Sequence, residues 1–228
     1  TLNYFSHHIM MKEISNQGYK VSISGTGADE IFSGYYDHHL AYLHEAKRNG
    51  ETEYTNAVND WEKFIKPIVR NPFLRDHEYL VKNPLRRDHI FLNNEDFRKY
   101  LLKDFKEPFN EIFYSNNLLR NRMLNELFHE IVPPILNQDD LNCMTNSIEN
   151  RSPFLDSELF DFVQSIPTKY LINNGYAKNI LRESVKDIIP KKIVENRKKI
   201  GFNMPIDDYF NINNNFDKEW LTKDSIID

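Results

Sequence analysis

The segment Ser24-Gly25-Thr26-Gly27-Ala28-Asp29-Glu30 is the first in the chain whose residue types and spacing could do chemistry. Small residues let a ligand approach the backbone, and the amides that open a following helix point outward as donors to phosphate or carboxylate oxygens. Asp29 could hold a magnesium ion that bridges phosphate groups. The same residues also suit a plain turn, because glycine permits tight bends and acidic side chains favour the first turn of any helix.

Three further segments carry candidate groups. In Ser147-Ile148-Glu149-Asn150-Arg151-Ser152-Pro153-Phe154-Leu155-Asp156, charged residues alternate with apolar ones in a segment stiffened by Pro153; as plain structure, Glu149 pairs with Arg151 while Asp156 or Ser157 caps a helix. In Lys178-Asn179-Ile180-Leu181-Arg182, two cations four apart on one helix face could reach a pyrophosphate leaving group, or stand in solvent. The run Lys191, Lys192, Arg197, Lys198 and Lys199 reads as a solvated basic face, and a net charge of −5 argues against a nucleic-acid partner. His7-His8 and His38-His39 are adjacent pairs whose rings diverge by about 100° on a helix, so zinc is not expected there. Cys143 has neither a glycine elbow nor a nearby histidine in sequence and reads as a small buried residue.

The elements that must position these groups are mostly helical. Apolar residues recur at helical spacing from Asn3 to Asn16, with Gly18 at the end. Tyr19, Val21 and Ile23 alternate with Lys20 and Ser22 as a short strand. One helix is expected over 28–47 and a long one over 110–131, closed by Pro133 and Pro134, with others over 157–165, 176–189 and 205–210. Between 51 and 110 four prolines divide aromatic-rich segments into short helices. One strand among many helices cannot satisfy its own edges, so other strands hide in loops or lie outside this sequence. At 228 residues, with seven glycines, one cysteine and 28 % charged residues, collagen and disulfide scaffolds are excluded. No stretch approaches the roughly 18 to 20 apolar residues that span a bilayer, so no membrane partner and a cytoplasmic, reducing setting are expected.

Taken together and in order, the segments resemble the C-terminal part of the synthetase domain of glutamine-hydrolysing asparagine synthetases and their asparagine synthase-like relatives. The resemblance rests on Ser22 to Tyr35, Asp140 to Met144, Ile148 to Asp156, Lys178 to Arg182 and Arg197 to Pro205, while roughly 45–115 matches nothing in it. It implies a mainly α chain with one or few short strands, the C-terminal portion of an α/β adenine nucleotide α-hydrolase-like (PP-loop) fold. On that reading Tyr19 to Ile23 is the last parallel strand of a sheet whose other strands precede Thr1. The matching domain would run over 1–210, with 211–228 as a tail.

The resemblance further implies an ATP- and magnesium-dependent amidotransferase. A carboxylate is activated as an acyl-adenylate, AMP and pyrophosphate are released, and ammonia is the acceptor. Ser24, Gly25, Thr26 and Gly27 would contact ATP or the adenylate, Asp29 would hold magnesium, and Lys178 would stabilise the leaving pyrophosphate. Glu149 would act at the reaction centre, with Arg151 and Arg182 on the pyrophosphate and substrate side. Partners would be a small carboxylate substrate and glutaminase and PP-loop regions on the same or another chain, with a possible homodimer. Two departures stand out. Thr26 occupies a position where asparagine synthetases usually carry a glutamate that handles the intermediate and ammonia, and threonine cannot be that base. The phosphate-gripping Ser-Gly-Gly-x-Asp-Ser motif is not in these 228 residues. A catalytically inactive helical module or nucleotide-binding remnant is the alternative.

Overall fold

The computed structural model describes residues 2–91, 94–102 and 109–201; the helix expected over 205–210 and the tail over 211–228 lie outside them. The chain starts with α1 (Leu2–Asn16) and β1 (Val21–Ile23). It continues with α2 (Ala28–Phe32), α3 (Tyr36–Asn49) and α4 (Glu51–Phe64), then the short α5 (Tyr79–Lys82) and α6 (Asn94–Phe97). After α7 (Leu118–Asn125) come a π-helical turn (Glu126–Glu130), α8 (Val132–Thr145) and β2 (Glu149–Arg151). The described residues end with α9 (Ser157–Ser165), α10 (Asn179–Val185) and α11 (Lys191–Val194).

Several sequence expectations change. The helix expected over 28–47 is broken at Ser33-Gly34-Tyr35, where Ser33 takes a φ of 68° and its amide folds back on the Asp29 carbonyl. The long helix expected over 110–131 begins only at Leu118, because Asn117 caps it by accepting from the Arg120 amide at 2.9 Å. Pro133 and Pro134 close that helix and open the next, as residues without amide hydrogens can in a first turn. The helix expected over 176–189 shortens to α10. β1 is not the last parallel strand: it pairs in parallel with the later β2, Val21 opposite Glu149, Ser22 opposite Asn150 and Ile23 opposite Arg151.

α3 is the central helix, packed on α4, α5 and α7. Leu40, Ala41 and Leu43 on it are fully buried against Trp61, Ile65, Leu119 and Met123. A second, smaller cluster of Met11, Cys143 and Ile148 joins α1, α8 and the residue that precedes β2. Cys143 is thus the small buried residue expected.

Four polar residues of α3 are buried as well: Asp37, His38, His39 and Glu45. Glu45 accepts from the Leu118 amide at 2.7 Å and so caps α7 from outside. His38 Nε2 meets Glu126 Oε2 at 2.7 Å, and Arg122 Nε lies 3.1 Å from Glu126 and 3.4 Å from Asp37. Burial opposes charge on His38, but the Glu126 and Asp37 carboxylates outweigh it and hold the imidazole above its ordinary value. Asp37, His38 and Glu126 are close enough to share a cation, yet the Arg122 guanidinium already bridges both carboxylates.

Burial also works against the Asp37 carboxylate, but His89, His38 and Arg122 hold its pKa far below the usual range. Its contribution is therefore present above the ordinary carboxylate pKa and lost only as pH falls through the depressed value. Arg122→Met would leave two buried carboxylates short of a counter-ion. The expected cost is about 3–5 kcal/mol, read from urea unfolding at neutral pH.

Candidate functional site

The parallel pairing of β1 and β2 brings together two segments that are far apart in sequence. Ladder bonding runs past the strand, because the Ser24 amide donates to the Arg151 carbonyl at 2.8 Å. One sheet face carries Val21, Ile23, Glu149 and Arg151, all exposed, with Glu149 and Arg151 paired at 2.9 Å. The other face carries Ser22 and Asn150, joined at 2.8 Å.

After β1 the glycine loop turns at Gly27, whose φ of +92° favours a residue without a β-carbon. A β-carbon there would also overlap Leu155, so the loop is packed tightly onto the Pro153-Phe154-Leu155 turn. Asp156 caps α9 through the Leu159 amide at 2.9 Å, fixing that turn in place. Gly27 leads directly into α2, which carries Asp29 in its first turn.

Asp29 is the centre of the site. Lys178 donates to its Oδ1 and Lys199 to its Oδ2, so one carboxylate holds two ammonium groups. Burial pushes the Asp29 carboxyl up, but the two lysines outweigh it and hold it below the usual range. Burial lowers the Lys178 ammonium pKa; Asp29 opposes the shift, and Lys199 and Arg182 add to it. Asp29 and Lys178 are therefore charged together between the lowered carboxylate value and the lowered lysine value.

The backbone around them is held in uncommon conformations. Lys178 has a φ of 54° and Ser33 a φ of 68°, and the Lys178 amide donates to the Ser33 carbonyl at 3.1 Å. Such left-handed, non-glycine residues cluster where neighbouring structure overrides local preference, often at functional sites. Gly34 is not in a helix, as the sequence suggested; a β-carbon on it would overlap the Asp29 carboxylate.

Lys178 and Arg182 do not share a helix face. Lys178 caps α10 from outside it, whereas Arg182 donates to the backbone carbonyls of Ala177 (2.8 Å) and Val194 (2.6 Å). Arg182 thus ties the Lys178 loop to α11. Arg197 lies between the rings of Phe64 and Tyr176, at 4.1 and 3.7 Å, and holds the segment that delivers Lys199. Lys199 was missed as a site residue, since in sequence it is one of several clustered basic residues. Its place in Arg197-Lys198-Lys199-Ile200-Gly201 was the available signal.

On the other side of the loop lies a cavity of about 540 Å³ lined by Ser24, Thr26, His7 and Asp139 among others. Ser24 Oγ is 2.9 Å from Ser152 Oγ and donates to Thr26 Oγ1 at 3.2 Å. The glycine loop therefore separates a cationic side from a hydroxyl-lined side.

The asparagine synthase family model matches residues 4–224. The chain belongs to the asparagine synthase family. Asparagine synthetase [glutamine-hydrolyzing] 1 of Bacillus subtilis (strain 168) is 43 % identical over 72 residues, 32 % of this chain and 11 % of that protein. A putative asparagine synthetase [glutamine-hydrolyzing] of Mycobacterium tuberculosis (strain ATCC 25618 / H37Rv) is 36 % identical over 81 residues, 36 % of this chain and 12 % of its own. Asparagine synthetase [glutamine-hydrolyzing] 3 of B. subtilis is 27 % identical over 181 residues, 78 % of this chain and 25 % of that protein. The matched part thus spans a quarter or less of each of these relatives. No solved structure matches the chain. Among the described residues, no helix is long and apolar enough to cross a membrane.

Gly34→Ala tests the packing of Asp29. The new methyl group must displace the carboxylate from Lys178 and Lys199 while leaving φ unstrained. The expected result is an intact fold by circular dichroism with a Lys178 ammonium that titrates differently by NMR; an unchanged titration would show the carboxylate is not held there.

Proposed function

We propose that this chain supplies the cationic side of a site at which ATP activates a carboxylate as an acyl-adenylate, after which ammonia forms the amide. The observation that carries the reading is the Asp29 carboxylate shared by Lys178 and Lys199 beside the glycine loop. One negative and two positive charges leave a net positive charge at a partly buried point, which favours an incoming polyphosphate.

In the first step a carboxylate oxygen of the substrate attacks the α-phosphorus. The bond from that phosphorus to the pyrophosphate oxygen breaks, and the electron pair leaves with pyrophosphate. Lys178 and Lys199 compensate the charge that builds on the leaving group. Ser24, Gly25, Thr26 and Gly27 present hydroxyls and a close-approaching backbone to ATP and the adenylate. In the second step ammonia forms the C–N bond, the C–O bond to AMP breaks, and one proton leaves the nitrogen.

A magnesium ion, when bound, would neutralise phosphate charge. Asp29 would be its protein ligand only by giving up one of its two lysine contacts to the ion, with phosphate and water oxygens supplying the remaining ligands. Glu149 and Arg151, on the exposed sheet face, stand where the substrate side of the cleft would be completed. Arg182 acts by positioning Lys178. A PP-loop half, with the remaining sheet, and a glutaminase would come from the same or another chain. The intact protein would be a cytoplasmic ligase, with a homodimer possible.

Substrate-dependent exchange of pyrophosphate into ATP by the intact gene product tests this. Lys178→Ala and Lys199→Ala are each expected to lower exchange by about 10²- to 10³-fold, the usual loss when one charge-stabilising group is removed. No exchange by the unmodified protein over a broad carboxylate panel would overturn the reading. Heat of ATP–magnesium binding without exchange would instead identify a nucleotide-binding remnant.

A further inference from the structure

We infer that Asp139 is the proton acceptor of the amide-forming step, reached from the glycine loop through a relay of hydroxyls. The inference rests on the adenylation reading above, and its observations are separate from the lysine pair. Thr26 Oγ1 donates to Asp139 Oδ2 at 3.4 Å, and Ser24 Oγ donates to Thr26 Oγ1 at 3.2 Å. With its hydrogen committed to Thr26, Ser24 accepts from Ser152 at 2.9 Å. Three hydroxyls therefore point the same way, from the end of β2 across the loop, and Asp139 is the acceptor at the end.

The position of Asp139 suits a base. It projects from α8 into the 540 Å³ cavity beside Ser24 and Thr26, with its side chain 12 % exposed. Its second oxygen, Oδ1, faces His7 Nδ1 at 3.6 Å. Asn142 Nδ2 lies 3.2 Å from the same ring nitrogen, so His7 has a neutral partner and an anionic one on one edge. Burial pushes the Asp139 carboxyl above its ordinary value, against the lowering by His7 and the Thr26 hydroxyl. That direction brings a carboxylate closer to the operating pH of a base. The other titratable groups facing it are Tyr4 from α1 and Cys143 on its own helix.

The neutral Thr26 hydroxyl is not itself a base, but it can pass a proton on to Asp139. As the nitrogen nucleophile forms its bond to the acyl carbon, it gives a proton to the loop hydroxyls. Thr26 releases its own proton to Asp139 in the same movement, and the electron pair of the breaking C–O bond leaves on AMP. The carboxylate is returned to its charged form by loss of that proton to solvent.

Asp139→Asn in the intact protein, an isosteric change, tests the assignment against pyrophosphate exchange as the internal reference. Amide formation is expected to fall about 10²- to 10⁴-fold relative to exchange. Asp139→Glu should restore part of the rate. Thr26→Ser, which keeps the hydroxyl, should keep the ratio of amide formation to exchange that Asp139→Asn loses. Equal losses of exchange and amide formation, or no loss of either, would overturn the role of Asp139. Absence of exchange in the unmodified protein would overturn the adenylation reading first, and the base assignment with it.

Discussion

One carboxylate, that of Asp29, is held by two ammonium groups that lie 149 and 170 positions further along the chain. An arrangement so non-local needs each partner delivered separately. Asp29 is placed by the turn at Gly27, Lys178 by a left-handed backbone bonded to Ser33, and Lys199 by Arg197 clamped between two aromatic rings. Gly34 matters for what it lacks, since a methyl group there would occupy the volume of the carboxylate. The break between α2 and α3 follows from the same contact. A continuous helix through Ser33 would remove the carbonyl that Lys178 uses and carry Gly34 away from Asp29.

The charge pattern also explains why the core beneath the site is so polar. α3 must approach the site with Tyr35 and Tyr36, yet it is buried on several sides, so Asp37 and His38 have no solvent to face. Arg122, Glu126 and His89 supply their partners from α7, the π turn and the segment after α5. A buried ionic network of this kind adds little net stability compared with apolar packing, but removing one member is costly. Its effect is to fix the rotation of α3, and thereby Tyr36, whose hydroxyl accepts from the Lys199 amide at 3.1 Å.

Much of this was legible in the sequence where the signals were local. α1, β1, the loop glycines, the Asp156 cap and α9 all follow from spacing, turn residues and capping chemistry within about ten residues. β2 was not legible, because Glu149-Asn150-Arg151 has no strand pattern and becomes extended only by pairing with β1. The break at Ser33 was hidden for a related reason: serine has no local preference for a φ of 68°, and the hydrogen bond that holds it comes from Lys178. Lys178 and Arg182 looked equivalent at a spacing of four, but the left-handed turn at Lys178 sends one ammonium to Asp29 and leaves the guanidinium on backbone carbonyls. Asp139 was unreadable as a site residue, since nothing near it in sequence says which distant loop it meets, and Lys199 was signalled only by its place in the Arg197 to Pro205 segment.

The loop between β1 and α2 touches both halves of the proposed chemistry. Ser24 and Thr26 face the hydroxyl relay and Asp139, and three residues later Asp29 faces the lysines. Its start is fixed by the ladder bond to Arg151, and its turn by the packing of Gly27 on Leu155, both in the Ile148 to Asp156 segment. A shift of that segment must therefore move the proton-accepting side and the cationic side together. The two sides differ in what they tolerate. The lysines act through charge, which falls off slowly with distance, whereas the relay depends on hydroxyl contacts already at 3.2 and 3.4 Å. Small displacements of the loop should thus be felt first in proton transfer and only later in charge compensation, which makes the parallel pairing of β1 with β2 the geometric control on the second step more than on the first.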